Sequence, residues 1–420
     1  MPSKYLVSAG SNARGQLATG STDDAHTFTR SSFEDSPLML PSDTIKVVDI
    51  ACGSNFTLLL LHRASSSGTR VELWASGDGS RGQLGPAHYR SEPILVFTQV
   101  DLHLSDYGLG PYSVHSVTAG WETSYAVLTS PEEDDVLISF GGNDFGDLGV
   151  GHARSSPTDA GRMHIVDLKM VAGGQATSTL KIDIVVAGTH HVVAQVSTTC
   201  SGVSESAIVG WGTCRQGQLG FVPPSVVVQP SPSLIQGLER EPMSAVATGS
   251  KHTVFLPPSG RLRGLGSNRK KQLENLGSIV GASFVGCTWN GTYTIVNSPN
   301  SWSILVVGDD AKGQLGCNIA VDQQSDGPQT VRFPFSHDTH KLLKVACGSE
   351  HVLCLFTVAG GGEVWAWGWN EHGNLGLGHT DDVRLPVKIW PNSDENILQR
   401  PLDVWAGCGT SWILVEDATT

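Results

Sequence analysis

The sequence has few charged residues and lacks any excess of positive charge. Only 16% of its 420 residues are charged, and 27 Lys and Arg stand against 40 Asp and Glu, a formal net charge of −13. Binding to nucleic acid depends mainly on clustered Lys and Arg that neutralise phosphates, and anionic membrane surfaces require the same residues. The composition therefore excludes a general polyanion binder, and we expect neither direct nucleic-acid binding nor membrane association.

Long apolar runs, a secretory signal and paired cysteines are also missing. The longest aliphatic run, Leu58 to Leu61, is far too short to span a bilayer, and the residues from Met1 to Tyr5 do not begin a signal segment. The eight cysteines include no Cys-x-x-Cys pair, which argues against a zinc ribbon, a redox motif or a disulfide framework. We therefore expect a soluble cytoplasmic protein with reduced cysteines, and a nuclear location stays open.

Signatures of catalysis are absent from the sequence as well. It contains no Walker loop, no His-Glu-x-x-His, no Gly-x-Ser-x-Gly and no metal-spaced set of Cys and His. The 39% of hydrophobic residues is nevertheless enough to bury a large core. We expect a folded protein that is not an enzyme and that has no cofactor and no metal site.

Glycine, in contrast, is abundant, and much of it belongs to a repeated turn motif. The chain has 49 glycines, and a turn resembling Gly-x-Asn-x-x-Gly-Gln-Leu-Gly recurs about every 60 residues. We call this the turn motif; its seven copies are residues 8–17, 77–85, 142–149, 212–220, 266–273, 308–316 and 368–376. Glycine supplies left-handed backbone angles, Asn or Asp closes the turn, and the leucine is expected to insert into apolar space.

A second element, which we call the strand motif, alternates with the turn motif along the whole chain. It is a β-branched run that passes through a small residue and glycine into an apolar strand, and its copies are residues 50–60, 117–128, 185–196, 246–256, 284–296, 345–356 and 404–415. The small residues suit a crowded inner strand. No long helical periodicity appears, and turn signals separate short β-rich segments, so the motifs predict an all-β protein.

Seven alternating β units favour a closed ring over an open stack. A solenoid needs distinct polar caps, and none is visible in the sequence. We therefore predict a seven-bladed β-propeller that forms a single domain over residues 1–420. The widest spacings between motifs predict loop insertions near residues 86–113, 153–180, 221–242 and 317–341, any of which could contact a partner.

The two motifs together resemble the regulator of chromosome condensation (RCC1) repeat family. The resemblance rests on the Gly-Gln-Leu-Gly turns and on strands such as Ala346 to His351, which read Ala-Cys-Gly-Ser-Glu-His, and its seven copies cover essentially the whole chain. It implies a seven-bladed propeller built of RCC1-like repeats. It does not select a function, because the family includes an exchange factor for the Ran GTPase, a plant ultraviolet photoreceptor, ubiquitin-ligase accessory domains and a fungal α-tubulin-suppressor protein.

Departures from the family patterns reduce the number of functions that the resemblance implies. The exchange factor has a basic tail before its propeller, whereas here the first turn motif begins within ten residues of Met1, which we interpret as leaving no room for such a tail. The photoreceptor depends on Gly-Trp-Arg-His-Thr motifs, and the nearest forms here, beginning at Gly120 and Cys287, lack the arginine. The compact chain and its strong last turn at residues 365–376 are closest in style to the fungal α-tubulin-suppressor type.

That resemblance implies a non-enzymatic adaptor or regulatory subunit that acts through protein partners. Its implied partner is a small CSL-type zinc-finger protein, and the implied processes are tRNA wobble-uridine (Elongator) modification and diphthamide modification. The alternative is a guanine-nucleotide exchange factor that inserts a loop wedge into a Ran-type small GTPase. A simple scaffold with neither partner stays open as a third interpretation.

Exposed side chains within the turn motifs are the candidate partner-binding residues. They are Arg81, Asp144, Arg215, Arg269, Lys270, Lys271, Asp309, Lys312, Trp369, Glu371 and His372. The fifth turn is anomalous because its region also contains Arg261 and Arg263, and Lys271 replaces the expected glycine. A basic patch on an acidic protein can steer an acidic partner, and the competing interpretation is a solvated loop in a decayed repeat.

Two further features have structural interpretations. The acidic run at residues 131–135 is expected to be an exposed hairpin tip. His191, His252 and His351 recur at one place in the strand motif, where we expect a ring nitrogen to bond the backbone of a neighbouring blade rather than a ligand.

Overall fold

The computed structural model describes residues 3–66, 68–89, 92–154, 161–174, 178–220, 223, 225–238, 241–298, 301–317, 327–391 and 399–417. This part of the chain is almost entirely β structure, with three short 3₁₀ helices at Pro86–His88, Leu104–Tyr107 and Leu276–Ser278. No helix within the described ranges is long and apolar enough to cross a membrane.

The residues form two compact units, Ser42–Val246 and Met1–Pro41 together with Ala247–Thr420. The Ser42–Val246 unit contains three four-stranded antiparallel sheets. Their strands, in chain order, are β3 (Thr44–Cys52), β4 (Phe56–Ser65), β5 (Gly68–Gly77) and β6 (Ile94–Val100); β7 (Ser113–Ala119), β8 (Thr123–Thr129), β9 (Val136–Gly141) and β10 (Met163–Val166); β11 (Thr179–Ala187), β12 (His191–Cys200), β13 (Val203–Thr213) and β14 (Val228–Leu234).

Sheets of the same pattern make up the rest of the chain. A three-stranded sheet contains β15 (Ala245–Thr248), β16 (His252–Leu256) and β17 (Arg263–Gly266). Two four-stranded sheets follow, with β18 (Ala282–Cys287), β19 (Gly291–Ser298), β20 (Ser301–Gly308) and β21 (Gln329–Thr330), then β22 (Lys341–Cys347), β23 (His351–Val358), β24 (Gly361–Gly368) and β25 (Val383–Trp390).

The seventh sheet joins the two ends of the chain. Its order is β2 (Ala25–Arg30), β1 (Lys4–Gly10), β27 (Thr410–Asp417) and β26 (Gln399–Ala406). β1 and β27 are antiparallel and in register from Lys4 opposite Glu416 to Gly10 opposite Thr410. Tyr5, Leu6, Val7 and Ala9 of β1 are at most 2% exposed, so the first strand is part of the core.

Within each unit, the innermost strands of consecutive sheets contact one another. β3 contacts β7 and β7 contacts β11 in one unit, and β18 contacts β22 and β22 contacts β26 in the other. This confirms the crowded inner strand that the small residues of the strand motif predict. Seven small antiparallel sheets make the protein an all-β, seven-bladed β-propeller, as predicted.

Apolar residues from consecutive blades pack together within each unit. In one cluster Leu58 and Leu60 of β4 pack with Val117 of β7 and Ala126 of β8. In another, Tyr5 and Val7 of β1 pack with Leu353 and Leu355 of β23. The sheets are therefore held together mainly by burial of alternating apolar faces.

Each of the four ranges expected to be loop insertions contains an outer strand of a blade. β6 lies within residues 86–113, β10 within 153–180, β14 within 221–242 and β21 within 317–341. Parts of these ranges, namely 90–91, 155–160, 175–177, 221–222, 224, 239–240 and 318–326, lie outside the described residues. The single domain over residues 1–420 stays a prediction.

Candidate functional site

The turn motif follows the third strand of each blade, and side-chain hydrogen bonds fix its backbone. The Asn or Asp of the motif accepts from the leucine N–H: Asn12 from Leu17 at 2.9 Å, Asn143 from Leu148 at 3.1 Å. The same bond recurs at Asn268, Asp310 and Asn370. Leu17, Leu84, Leu148 and Leu375 are fully buried. The predicted closure of the turn and insertion of the leucine are therefore both present.

The glutamine of the motif adds a bond that sequence reasoning did not predict. Its side-chain oxygen accepts from the N–H two residues earlier, as in Arg81 N to Gln83 Oε1 at 2.8 Å and Lys312 N to Gln314 Oε1 at 2.7 Å. Gln83 and Gln314 are each 1% exposed. A buried amide thus holds the backbone of the residues whose side chains are candidates for partner contact.

The turn within the strand motif lies at the same end of each sheet as the turn motif. Trp369 N donates to Glu350 O at 2.9 Å, and Gly142 N donates to Glu122 O at 2.7 Å, so the two turns of a blade are joined. Neighbouring blades are joined as well, because Trp121 N donates to Thr189 O at 3.0 Å and Ser349 N to Gly407 O at 3.0 Å. We call this end of each sheet the turn end.

Two of the recurring histidines bond the next blade through a hydroxyl as well as through its backbone. His252 Nε2 lies 3.2 Å from the hydroxyl of Thr292 in the next blade, which donates to Gln272 O at 2.7 Å. His351 Nε2 lies 3.1 Å from the hydroxyl of Ser411. Burial lowers the pKa of His252 and His351 to about 4, so both rings are neutral at neutral pH. A backbone hydrogen bond to Gly291 also acts on His252, and one to Thr410 acts on His351, both in the next blade as expected. The hydroxyls at the second position of the adjacent strands were not predicted.

In the Ser42–Val246 unit two candidate residues form one charged group. Arg81 Nη2 lies 2.7 Å from Asp144 Oδ2, and Arg81 Nε lies 3.5 Å from Glu122 Oε2. Arg81 is in the turn motif of the first blade of this unit, whereas Asp144 and Glu122 belong to the second. The arginine thus connects two blades at their turn ends.

The other unit has ion pairs of the same kind between consecutive turns. Lys270 Nζ lies 3.0 Å from Asp309 Oδ2, and Lys312 Nζ lies 3.3 Å from Asp382 Oδ2. Arg384 Nη1 lies 3.2 Å from Asp310 Oδ2. Exposed ion pairs of this type contribute about 0–1 kcal/mol each. The ion pairs therefore orient the side chains but hold them only weakly.

The aromatic candidate Trp369 belongs to a small polar group. Trp369 Nε1 donates to Glu371 Oε2 at 3.1 Å, and the Trp369 ring packs edge-on against His372 at 5.3 Å. His372 Nδ1 lies 2.7 Å from Asp24 Oδ2 in the seventh blade. All three candidate residues of the last turn are thus brought together.

Glu350 is a buried carboxyl group between two blades at the turn end. It is 9% exposed, and it accepts hydrogen bonds from Asn290 Nδ2 at 2.6 Å and Gln314 Nε2 at 3.0 Å. Burial raises the pKa of Glu350 to about 7, although the two hydrogen bonds act in the opposite direction. The residue before the motif histidine is polar in several copies, and this was the sequence signal that could have identified it.

Three basic candidates differ from the rest. Arg215 and Arg269 are exposed, and no carboxylate of the described residues lies within 4 Å of either guanidinium. Lys271 has φ +60°, the left-handed conformation that the equivalent glycines adopt in the other copies, so it does occupy a glycine position.

The acidic run at residues 131–135 is only partly an exposed tip. Asp134 pairs with Lys169 at 2.7 Å and accepts from Leu180 N, and Asp135 pairs with Lys181 at 3.0 Å and accepts from Ile182 N. These two carboxylates hold the start of β11 against the preceding blade. Only Glu132 and Glu133 fit the expectation of a solvated tip.

Sequence reasoning found Asp144 and Asp309 but missed four other acidic residues of this surface. Glu122, Asp382, Asp24 and Asp310 were not among the candidates, yet each pairs with a basic group of a neighbouring turn or strand. Among the described residues, no group of three His, Cys, Asp or Glu could hold a metal ion. The turn end therefore offers charged and aromatic side chains on a fixed backbone.

Three curated relatives match nearly the whole chain. The Ultraviolet-B receptor UVR8 of Arabidopsis thaliana is 28% identical over 97% of this chain and 83% of that protein. The secretion-regulating guanine nucleotide exchange factor of Bos taurus is 26% identical over 91% of this chain and 78% of that protein. An RCC1 repeat-containing protein of Schizosaccharomyces pombe is 27% identical over 98% of this chain and 99% of that protein.

Solved structures share the fold. Human WBSCR16 superimposes with a TM-score of 0.70 at 21% identity, covering 99% of this chain and 100% of that one. Prp20p of Saccharomyces cerevisiae, described with its binding to Gsp1p and histones, has a TM-score of 0.72 at 16% identity, covering 100% of this chain and 93% of that one.

The sequence model of the Regulator of chromosome condensation (RCC1) repeat matches residues 8–60, 208–256, 303–355 and 361–414. These segments contain both the turn motif and the strand motif described above. The chain therefore carries RCC1 repeats and belongs to the RCC1 repeat family.

Proposed function

We propose that this protein is a non-enzymatic interaction propeller that presents the turn ends of its blades to a protein partner. The observation that carries the proposal is the combination of a fixed turn backbone with exposed charged side chains such as Arg81 and Lys312. Because their ion pairs are worth about 0–1 kcal/mol each, a partner can replace them at little cost.

In finer terms, the proposed role is that of an adaptor or regulatory subunit. The proposed partner is a small CSL-type zinc-finger protein, and the proposed processes are tRNA wobble-uridine (Elongator) modification and diphthamide modification, in the cytoplasm and with a nuclear location open. Support comes from the resemblance of the motifs to the fungal α-tubulin-suppressor type. The S. pombe relative, which matches along 99% of its own length, shows that a fungal protein shares this organisation.

The alternative is a guanine-nucleotide exchange factor for a Ran-type small GTPase. It is supported by the relative named as a secretion-regulating exchange factor and by the fold shared with Prp20p, which binds Gsp1p. An exchange factor accelerates nucleotide release, whereas an adaptor forms a stable complex without doing so. The two functions therefore differ in a measurable rate.

The test is affinity purification of the tagged protein from its own cells, followed by nucleotide-release kinetics. The variant Arg215→Glu/Lys312→Glu reverses charge at turn ends, and its matched control, Lys46→Glu/Lys341→Glu, reverses two exposed lysines near the opposite ends of β3 and β22. We expect a partner that the wild type and the control retain and that the turn-end variant loses.

A small zinc protein among the retained partners supports the adaptor. A Ran-type GTPase whose release of labelled GDP the purified protein accelerates supports the alternative and rejects the adaptor. Equal recovery of every partner with both double variants rejects the turn ends as the contact surface.

A further inference from the structure

One blade of the propeller lacks an outer strand in the described structure. Every other sheet ends in a fourth strand, namely β2, β6, β10, β14, β21 or β25. Among the described residues, β17 pairs only with β16, from Phe255 opposite Arg263 to His252 opposite Gly266. The outer edge of β17 thus offers backbone N–H and C=O groups that no described strand takes up.

The chain that follows β17 covers a face of this strand instead of its edge. After the fifth turn it forms the 3₁₀ helix Leu276–Ser278 and then enters β18. A Cβ added at Gly264 would lie 2.6 Å from Leu273 Cδ2 and 3.2 Å from Leu276 Cδ1, so both leucines pack on that face. A segment packed on a face does not satisfy the hydrogen bonds of an edge.

The edge strand itself is open to approach. Its sequence is Arg-Gly-Leu-Gly, and Gly264 is exposed. Two glycines in four residues leave little side-chain bulk beside the backbone. An extended peptide could therefore come within hydrogen-bonding distance along β17.

The chain from Arg261 to Leu276 has five basic residues and one acidic residue, Glu274, which bonds Asn268, on a protein of net charge −13. Arg261 precedes β17 and Arg269 follows it; both are exposed, and neither has a carboxylate of the described residues within 4 Å. Lys270 is already paired with Asp309 at 3.0 Å. Arg263 and Lys271 have contacts of their own, so the argument rests on Arg261 and Arg269.

These observations select one kind of occupant. A second copy of this chain, paired edge to edge through β17, would bring the two sets of arginines together and is opposed by repulsion. We propose that an extended segment of a partner protein, rich in Asp and Glu, adds to β17 as the fourth strand of this blade. Main-chain bonds supply affinity, and Arg261 and Arg269 select acidic residues.

The inference rests on the proposed role in protein binding, but its test needs only the purified full-length protein and synthetic peptides. The probe is a fluorescent peptide of alternating Glu and Val, seven residues long, measured by fluorescence anisotropy. The same peptide with Lys in place of Glu is the charge control. If the peptide does not bind, the result of the affinity purification still stands. If the purification finds no partner, the peptide result still stands.

Strand addition makes a prediction that charge attraction does not. Successive N–H groups of a strand point to opposite sides, so only one set faces β17. Two variants of the peptide test this: one carries N-methyl groups at its valines, and the other carries them at its glutamates. We expect one of the two to bind about tenfold more weakly than the parent peptide and the other to bind as well as the parent. Amide exchange in residues 263–266 should slow when the parent peptide binds.

The protein variant is Arg261→Glu/Arg269→Glu, with Lys46→Glu/Lys341→Glu as the matched control, because both lysines are exposed and belong to other blades. We expect the double variant to bind the acidic peptide about tenfold more weakly and the control to be unchanged. Equal binding of both N-methylated peptides, equal binding of the Lys peptide or of a single-stranded oligonucleotide, or unchanged exchange at residues 263–266 would each overturn the proposal.

Discussion

At the scale of single residues, glycine conformation accounts for much of the turn motif. The glycine before the Gln or its equivalent has φ between +72° and +87° in the copies at Gly15, Gly82, Gly146, Gly217, Gly313 and Gly373. L-amino acids adopt this region only with strain of about 1–2 kcal/mol. The motif thus repeats glycine because the backbone requires it, and Lys271 is the exception.

Three substitutions separate this strain from crowding. Gly217→Ala should lower the free energy of unfolding by about 1 kcal/mol, because its new Cβ meets only one atom, at 4.0 Å, and only strain acts. Gly313→Ala should lower it further, because its Cβ would lie 2.6 Å from Arg384 Cα. Lys271→Gly should raise it by up to about 1 kcal/mol. Denaturant unfolding measures all three, and equal effects of the two alanines would contradict the crowding argument.

At the scale of strands, the pairing of β1 with β27 is the contact that joins the two ends of the chain. β1 lies between β27 and β2, and its apolar residues pack in the core with the blade of β23 and β24. The strand is therefore expected to contribute to stability as an interior element rather than as a frayed terminus.

Leu6→Ala should lower the free energy of unfolding by about 2–5 kcal/mol, because Leu6 is fully buried and its truncation leaves a cavity. The matched control is Lys4→Ala in the same strand, whose partly exposed ion pair with Glu416 at 3.8 Å should be worth at most about 1 kcal/mol. Denaturant titration compares the two variants. Equally small losses of stability in the two variants would show that β1 is not a structural part of the core.

The strands and turns were largely predictable because they repeat. Seven copies of each motif located the inner strands and the turns, and the burial of leucines such as Leu148 followed from the pattern alone. That no described residue forms a fourth strand beside β17 was not predictable, because it depends on where Leu273 and Leu276 pack. Glu122 beside Arg81 and Asp382 beside Lys312 were missed because each pair joins residues far apart in sequence.

At the scale of the whole molecule, buried titratable groups make stability depend on pH. His252 and His351 are neutral in the folded state with pKa values of about 4, below the unfolded value of 6.5. Between these values the unfolded chain binds more protons, so the stability present at neutral pH is lost as pH falls from 6.5 towards 4. Glu350 acts oppositely, because its pKa is raised from 4.5 to about 7.

The free energy of unfolding should therefore fall with acid between pH 6.5 and 4, because two histidine protons outweigh one on Glu350. Glu350→Gln removes the opposing group, so we expect the free energy of unfolding of this variant to fall more steeply with acid than that of the wild type. For the same reason the variant should become more stable relative to the wild type as pH rises from 5 to 8. Denaturant titrations at several pH values measure both slopes. An acid loss of equal steepness in the two proteins would show that Glu350 titrates normally.

The pairing of β1 with β27 also sets an order of events during synthesis. β1 leaves the ribosome before β27, and its partner strand is about 400 residues behind it, which at about 5–20 residues per second is a delay of about 20–80 s. During that interval the edge of β1 that pairs with β27 in the finished blade has no partner strand, and an unpaired strand edge promotes aggregation. The speed of translation between β1 and β27 therefore sets how long the nascent chain depends on chaperones.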